Sequence, residues 1–531
     1  MFDALGPASL APLDWLVVGL YALGLVTLGL LVSRQHARPE DYFLASRSTT
    51  WAPIGLALLA SNISSTALVG LAGAAYAIGA SVYDYEWMAC VVLVFFCIFL
   101  LPFILSSQVY TMPEYLERRY DGRARLYLAL LTLFLNIFVD SAGCLYCGSL
   151  LCRLIFPAMP LWQIAAALAG LAGLYTLAGG LRAVIYTEIV QAIVLFSAAL
   201  VISIAAFARA GGWHAVMTQV DPAMLSLIRP VGDAGVPWPG LVLGVPLLGF
   251  YYWCNNQFMM QRVIAARNVD HGRWGVLFAG LLKLPILFLM VLPGTAALLL
   301  FPHLAKADLV YPSLIFSLLP SGMVGLVVAG FLAATMATVA STLNSASTLI
   351  TMDVVRKLAP ATPAAQLVRI GRVATVVLMI VAVLWAPQIE RFPSLWQYLQ
   401  AVLAYAVPPV VALFLVGMFW RGANATGAVA TLAFGTVFGA ALFLWNGVWR
   451  MSSLHFLYIA PILLALDASV LIAVSLWFAT PVTEAVEAVV WTPAYFAAET
   501  RRLSVEPFWR NYRLLAAALL ALTASVVIAF R

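Results

Sequence analysis

Residues 60–66 of the chain read ASNISST, five polar side chains in seven positions. Asn, Ser and Thr side chains compete with a helix for the hydrogen bonds of its own backbone. The surrounding stretch, 53–80, is otherwise apolar enough for a membrane-crossing helix, which needs about 20 such residues. We therefore expect this helix to be broken near its middle.

A second stretch of this kind lies in the other half of the chain, where residues 251–257 read YYWCNNQ. Irregular backbone at membrane depth persists only where it lines a cavity or is covered by protein. Two interrupted spans in matching positions indicate the binding site of a transporter built from inverted repeats. The pattern predicts repeats over 53–210 and 238–422. The alternative is that these Ser and Thr residues only pack helices together.

Composition places the rest of the chain in a membrane. Of its 531 residues 64% are hydrophobic and 9% are charged, whereas soluble globular domains carry about 25% charged residues. Apolar runs predict an all-α polytopic protein of about fourteen spans. We place them at 13–33, 53–80, 84–105, 124–155, 160–178, 184–208, 238–262, 273–301, 320–355, 366–388, 394–420, 424–447, 454–479 and 510–530.

The connecting segments predict an arrangement around the two repeats. Residues 1–52 supply an additional helix and a loop, 211–237 an external loop, and 423–531 three helices with a cytoplasmic loop near 480–509. Most of the 28 Lys and Arg residues fall on the cytoplasmic side if both termini lie outside, as the positive-inside rule requires. Arg34, Arg38 and Arg47 follow the first span, so we expect an uncleaved anchor in the inner membrane.

The sequence lacks the motifs that several other functions require. The sequence has no ATP-binding GxxxxGK[ST] loop, no HExxH or GxSxG set at a plausible depth, and no appended signalling segment. An ion gradient is therefore the expected energy source, and an enzyme or receptor is disfavoured. The six cysteines all lie in apolar stretches, which favours packing over metal or redox chemistry. Basic residues form no run suited to nucleic acid, and we expect a functional monomer.

Charged residues within the spans point to a polar site. A central Asp, Lys or Arg costs roughly 2.5–3.5 kcal/mol on insertion scales, so such residues are seldom retained without a role. Four candidates sit within or at the margin of spans: Glu86, Asp140, Glu188 and Lys283. Flat aromatic faces and amides suit polyhydroxylated rings, and we find them in Tyr252, Trp253, Trp396 and Gln400. The alternatives are that the charges only form ion pairs that fix helix register, and that the aromatic residues only pack.

Taken together, the motifs resemble the sodium/solute symporter family and its sodium/glucose cotransporter branch. The resemblance is carried by residues 41–48 (DYFLASRS), 60–65, 85–88 (YEWM), 111–116 (TMPEYL), 176–188 (TLAGGLRAVIYTE), 257–262, 333–353 and 509–513 (WRNYR). It implies a LeuT-type inverted five-helix repeat with one helix before it and three after. It also implies sodium-coupled sugar uptake by alternating access.

The resemblance implies a sodium site between the first and eighth repeat helices. The matching positions are Ala60, Ile63, Ala334, Ala337 and Thr338, which would supply the carbonyl and hydroxyl oxygens that small hard cations prefer. The family usually has serine where Ala337 stands, so one hydroxyl ligand is absent. Glu188 stands where relatives carry an aspartate near the ion's exit path, and Asp140 is a further candidate for the ion path or the solute site.

This sequence matches only some of the family's sugar-binding residues. Glu86, Lys283 and Gln400 match polar contacts of the family, and Tyr252 matches the aromatic gate, with Trp253 beside it. Smaller residues stand at three other positions: Ala67, Ala89 and Gly249. They imply either a bulkier substituted sugar or a solute held by fewer hydrogen bonds. Two alternatives stay open. The same scaffold could carry a carboxylate or an amino acid, or sugar transport could be proton-coupled or independent of cations.

Overall fold

The computed structural model describes residues 9–32, 47–178, 181–392, 394–449, 451–452 and 454–531. Within these residues it is helical, and β-pairing is limited to two isolated bridges, Thr49 with Ala266 and Arg229 with Pro237. Buried hydrophobic side chains from both halves of the chain form one continuous core.

The helices follow the predicted spans. Those of the first half are Pro12–Val32, Trp51–Asn62, Ser65–Ile78, Asp84–Phe99, Leu101–Ser106, Met112–Arg119, Gly122–Leu135, Ala142–Ile155, Leu161–Ala178 and Leu181–Arg209. Two short helices, Trp213–Gln219 and Pro222–Leu225, lie in the connecting loop.

The second half begins at Trp238. Its helices are Trp238–Phe250, Gln257–Ile264, Val269–Leu281, Leu292–Leu300, Val310–Leu318, Met323–Thr348, Arg356–Leu358, Ala364–Trp385, Leu395–Ala406 and Pro408–Phe419. The remaining helices are Ala425–Leu442, Phe456–Trp477, Glu484–Glu487, Pro493–Leu503 and Tyr512–Ala529.

Helical structure overlaps each of the fourteen predicted spans, but the number that crosses a membrane stays a prediction. In the described part of the chain, seven helices are long and apolar enough to cross, or up to ten if each bent pair counts as one span. Short π-helical or 3-10 segments adjoin many helices, and several of them lie within the seven spans, as Asn136–Ser141 does within Gly122–Ile155. These segments are Ala80–Tyr83, Asn136–Ser141, Tyr251–Asn255, Leu287–Val291, Ala307–Leu309, Leu349–Val355, Ala386–Arg391 and Phe443–Val448.

Both predicted breaks are confirmed. The helices Trp51–Asn62 and Ser65–Ile78 meet at an angle of 59°, and we call the pair the first interrupted span. The second interrupted span runs from Trp238 through the π-helical segment to Ile264, and its backbone is extended at Asn256 (φ −67°, ψ 121°) before the helix restarts. A third bend of 54° separates Leu395–Ala406 from Pro408–Phe419, since proline removes a backbone donor and favours a kink.

A further break in the eighth predicted span was not expected. The helix Val269–Leu281 ends two residues before Lys283, which occupies a turn and donates its backbone N–H to the Gly280 carbonyl at 3.0 Å. Pro285 is the sequence signal for this turn, because a proline disfavours helical backbone in the residue before it.

Close packing of two helices fixes the position of this turn. The helices Trp51–Asn62 and Val269–Leu281 approach so closely that a Cβ on Gly55 would lie 2.8 Å from the Gly275 carbonyl oxygen. Since both positions are glycine, the backbones can meet without side chains between them. This approach brings the turn at Lys283 beside Asn62, the last residue of the helix Trp51–Asn62.

Candidate functional site

The two interrupted spans meet at one cavity of about 110 Å³, room for several water molecules or part of a small solute. It lies between the two halves of the chain. Its lining residues are Ser61, Asn62, Ser64, Thr66, Ala67, Tyr85, Glu86, Leu135, Val139, Asp140, Cys144, Val245, Leu248, Gly249, Tyr252, Trp253, Asn256, Phe258, Thr338, Trp396, Leu399, Gln400 and Leu403.

The first break exposes backbone carbonyls. The helix ends at Asn62, and Ile63 (φ −82°, ψ 73°) and Ser64 (φ −91°, ψ 173°) leave helical geometry before the next helix starts at Ser65. The last carbonyls of a helix have no partner within it. The Leu59 carbonyl is capped by the Ile63 N–H at 2.8 Å. The break therefore presents oxygen acceptors at the edge of the cavity.

A buried polar cluster joins the two halves of the chain. Lys283 forms an ion pair with Glu86 and donates a second hydrogen bond to the side-chain oxygen of Asn62. The side chains of Lys283 and Glu86 are 1% and 5% exposed. A buried charge is tolerated when it is paired and hydrogen-bonded. The structure thus brings together Glu86 and Lys283, which sequence reasoning had placed in one site.

Two aromatic side chains border this cluster. The Lys283 ammonium lies 4.8 Å from the ring centroid of Trp253, within the range of a cation–π contact. The rings of Tyr252 and Trp253 are nearly perpendicular, with centroids 5.3 Å apart. Asn62 donates a long hydrogen bond of 3.5 Å to the Tyr252 hydroxyl.

Asn62 therefore connects the helix break, the ion pair and the aromatic pair. Sequence reasoning had placed it in the break but had not named it as a site residue. The available signal was its amide, which can donate and accept at the same time, at the last position of a helix that ends at membrane depth.

The helix Leu395–Ala406 supplies the opposite group of lining residues. Trp396 and Gln400, one turn apart, both line the cavity. The ring of Trp396 meets that of Tyr85 edge-on at 5.4 Å, and its indole nitrogen is buried with no hydrogen-bond partner in the described part of the chain. An unpaired N–H donor in a cavity wall is costly unless a ligand or water accepts its hydrogen bond.

The three small residues are not equivalent in the structure. Ala67 and Gly249 line the cavity, and they leave room there. Ala89 is 1% exposed and lies outside the lining, on the same helix as Glu86. Its contribution to the shape of the cavity is therefore indirect.

The residues of the expected ion site lie along one side of the cavity. Thr338 lines it directly, whereas Ile63, Ala334 and Ala337 are buried behind the wall and Ala60 is partly buried. The Thr338 carbonyl accepts the Thr342 hydroxyl at 2.8 Å, which leaves the Thr338 hydroxyl as the group that can face an ion.

A further hydroxyl stands at the first break. Ser65 is fully buried, and its hydroxyl oxygen has no oxygen or nitrogen partner among the described residues. The thiol of Cys144 lies near the hydroxyls of Ser65, Thr66 and Thr338, so these groups surround one point between the first interrupted span and the helix Met323–Thr348. The donor set of carbonyls and hydroxyls fits a small hard cation.

Of the two remaining acidic candidates, the structure describes the side chain of Asp140 but not that of Glu188. Asp140 belongs to the π-helical segment Asn136–Ser141, lines the cavity and lies near Tyr252. Its carboxylate has no hydrogen-bond or ion-pair partner among the described residues. Glu188 lies on the helix Leu181–Arg209, and its side chain is outside the described part of the structure.

A separate ionic network lies away from the cavity, at the end of the ninth predicted span. Arg125 contacts Asp353 at 2.7 Å and Glu117 at 2.5 Å, and Lys357 also pairs with Glu117. Partial burial raises the pKa of Glu117, but hydrogen bonds from Lys357 and Arg125 outweigh that effect and leave the pKa below its ordinary value. This network ties the loop helix Met112–Arg119 to the span that carries Thr338.

The cysteines take no part in a metal or disulfide site that the structure describes. All six are free and buried, and no group of His, Cys, Asp and Glu in the described residues has the arrangement of a metal centre.

Comparison with known proteins identifies relatives over most of the chain. Residues 42–435 match the family described as Sodium:solute symporter family. The sodium/myo-inositol cotransporter 2 of Mus musculus is 32% identical over 541 residues, covering 92% of this chain and 80% of the relative. The sodium/glucose cotransporter 2 of Rattus norvegicus is 33% identical over 480 residues, covering 81% and 71%.

Solved structures agree on the fold. A Na+-coupled sialic acid symporter in a substrate-bound outward-open state superposes with a TM-score of 0.77 at 21% identity, covering 89% of this chain and 99% of that one. Mhp1, a nucleobase-cation-symport-1 family transporter, superposes with a TM-score of 0.57 at 14% identity, covering 85% and 98%. The fold is therefore the LeuT-type transporter fold, as expected.

Proposed function

The chain belongs to the sodium:solute symporter family, and from that premise we propose that it couples the downhill entry of Na+ to the uptake of a sugar or sugar derivative. It is a multi-pass membrane transporter and not an enzyme. The observation that carries the solute assignment is the cluster of Glu86, Lys283 and Asn62 beside Tyr252 and Trp253, at a cavity between two broken helices.

This cluster is suited to a neutral polyhydroxylated solute. A hydroxyl group both donates and accepts, so it can bond at once to a carboxylate and to an ammonium or amide. Glu86 and Asn62 offer acceptors and Gln400 offers a donor, while Lys283 lies outside the lining and acts through its contacts with Glu86 and Asn62. The indole nitrogen of Trp396 is a further donor, without a partner among the described residues. The aromatic faces of Tyr252 and Trp253 match the apolar face of a sugar ring. The relatives named above are cotransporters of myo-inositol and glucose.

Sodium is the proposed coupling ion. The carbonyls of Ala60, Ile63, Ala334 and Ala337 and the hydroxyl of Thr338 are the proposed ligands, with the buried Ser65 hydroxyl near the same point. An ion held between the first interrupted span and the helix Met323–Thr348 stabilises only the conformations in which those two elements are close. It therefore drives transport to the extent that it binds the outward-facing and inward-facing states differently.

Coupling passes through Asn62. The residue ends the helix whose last carbonyls are proposed to bind the ion, and its side chain contacts both Lys283 and Tyr252. An ion that fixes this end of the helix also fixes the amide that positions the solute contacts. Each 100 mV of membrane potential adds about 2.3 kcal/mol per charge moved inward, which is sufficient for uptake against a gradient.

The wider architecture follows the same proposal. The repeats comprise residues 53–210 and 238–422, preceded by one helix and followed by three, with both termini outside the cytoplasm and the monomer as the transporting unit. Protease accessibility of a tag at either terminus, compared in intact cells and inverted membrane vesicles, tests the orientation. Cleavage of both tags only in inverted vesicles would reverse it.

Reconstitution tests the function directly. Purified protein in proteoliposomes is given an inward gradient of Na+, of H+ or of K+ at equal membrane potential, and uptake of labelled glucose and myo-inositol is followed. Labelled succinate and alanine represent carboxylates and amino acids. We expect sugar or inositol uptake that requires Na+. Uptake driven equally by protons would remove sodium as the coupling ion, and uptake confined to the acids would remove the sugar assignment.

A further inference from the structure

The cavity wall holds one carboxyl group, that of Asp140, that no described basic residue pairs with. Two acidic groups line it, Glu86, which pairs with Lys283 outside the lining, and Asp140. Within the described chain the Asp140 carboxylate has neither an ion-pair nor a hydrogen-bond partner. An ionised carboxylate away from bulk water requires a compensating cation or donor. No described residue supplies that group to Asp140, so a cation that enters the cavity can supply it.

Local backbone geometry directs Asp140 to this position. The residue lies in a π-helical segment, Asn136–Ser141, between the helices Gly122–Leu135 and Ala142–Ile155. Segments of this kind inside α-helices occur frequently at functional sites because the additional residue shifts side chains around the helix axis. The neighbouring Val139 and the following-turn residue Cys144 line the same cavity.

The surroundings of Asp140 favour an organic ammonium group over a metal cation. Tyr252 lies near it, and Tyr85 and Trp396 line the same cavity. A carboxylate next to aromatic faces combines charge pairing with cation–π attraction, which suits an alkyl ammonium. A bare alkali cation instead requires several oxygen ligands, and the hydroxyls of Ser65, Thr66 and Thr338 gather around Cys144, which itself lies near Asp140.

We propose that the solute carries a protonated amine that binds Asp140, so that the preferred substrates are amino sugars or similar amino polyols. The inference rests on the function proposed above. The ring hydroxyls contact Glu86 and Asn62, which Lys283 holds in place, and the ammonium group donates to Asp140. Ala67 and Gly249 leave space in the cavity for the substituent.

A panel of matched sugars tests this proposal. The probes are glucose, glucosamine with its positional isomers that carry the amine on other ring carbons, and N-acetylglucosamine. Binding is measured by thermal stabilisation of the purified protein in saturating Na+, and uptake by proteoliposomes. We expect at least one amino sugar to bind about tenfold or more tightly than glucose, the factor that one charge-assisted hydrogen bond supplies. Raising the pH until the amine is neutral should abolish that advantage.

Variants of Asp140 localise the effect. Asp140→Asn should reduce the ratio of amino-sugar to glucose affinity to about one, and Asp140→Glu, which keeps the charge, should retain a preference. Asp221→Asn is the control, because Asp221 is an exposed helix cap in the external loop. If Asp140→Asn does not fold, the pH dependence of the wild-type protein still tests the proposal.

Three outcomes would overturn it. An amino-sugar series that binds no better than glucose removes the ammonium site, and if Na+-driven glucose uptake persists the general function stands. An equal preference for N-acetylglucosamine shows selection by size and not by charge. An altered Na+ or proton dependence in Asp140→Asn, without any amine preference in the wild type, assigns the carboxylate to the coupling ion.

Discussion

Lys283 and Glu86 pair across 197 residues of sequence, and both side chains are almost fully excluded from solvent. Each comes from a different half of the chain. Lys283 occupies the turn after Val269–Leu281, and Glu86 lies in the first turn of Asp84–Phe99. The pair therefore reports on how the two halves are assembled as well as on the solute site.

Removing either partner of this pair should impair both stability and transport. Glu86→Gln or Lys283→Ala leaves one buried charge without its counterpart, which typically costs about 3–5 kcal/mol. We expect a lower thermal unfolding temperature and sugar uptake near background for each variant.

A double variant separates the two roles of the pair. Glu86→Gln combined with Lys283→Met removes both charges, and replacing a buried pair with neutral groups is often tolerated. It should recover the unfolding temperature, whereas uptake should stay near background because the solute contacts are lost. Recovery of uptake in the double variant would show that the pair only holds helices together.

Thr338 should contribute to Na+ affinity through its hydroxyl. Thr338→Ala is expected to weaken Na+ binding by about tenfold, since one hydrogen-bonding or ligating group is commonly worth 0.5–1.5 kcal/mol and the expected site has few others. Thr338→Ser should keep most of the affinity. Thr335→Ala provides the control, because the Thr335 hydroxyl bonds to the Phe331 carbonyl of its own helix at 3.0 Å. Sodium activation of sugar uptake gives the measurement, and an unchanged curve for Thr338→Ala would argue against the ion site.

Ala337 offers a test in the opposite direction. Ala337→Ser introduces a second hydroxyl beside Thr338 at a buried position. If the ion lies there, the added oxygen should lower the Na+ concentration needed for half-maximal uptake. A weaker response to Na+, with normal folding, would mean that this position does not face the ion.

The network around Glu117 should make stability depend on pH. The pKa of Glu117 is lowered in the folded protein, so the stabilisation is fully present above the ordinary glutamate pKa of about 4.3. It is lost as the pH falls through that value towards the lower folded pKa. The unfolding temperature should therefore fall with acidification, and Glu117→Gln should flatten that dependence.

A matched variant controls for general acid sensitivity. Glu487 pairs with Arg421 at 3.3 Å, but both side chains are about half exposed, and exposed pairs contribute little. Glu487→Gln should follow the wild-type pH profile. If the Glu117 and Glu487 variants respond alike, the network does not carry the pH dependence.

Local chemistry was sufficient to predict the broken helices. The polar residues of 60–66 and 251–257 stand within apolar runs, and competition for backbone hydrogen bonds is decided among near neighbours. The composition of the spans likewise indicated the lipid environment without reference to any contact. The turn at Lys283 was missed, although Pro285 carried a local signal for it.

Contacts between distant segments required the tertiary structure. The sequence named Glu86, Lys283 and Asp140 as charges within spans, but it gave no means of deciding which of them pair. That choice depends on the close approach of Gly55 and Gly275, which sets Lys283 beside Asn62, and on a π-helical segment that directs Asp140 to the cavity. Ala89 and Ala67 looked equivalent in sequence, yet only Ala67 lines the cavity. A sequence states which groups are costly to bury, while the packing of helices decides which partner offsets that cost.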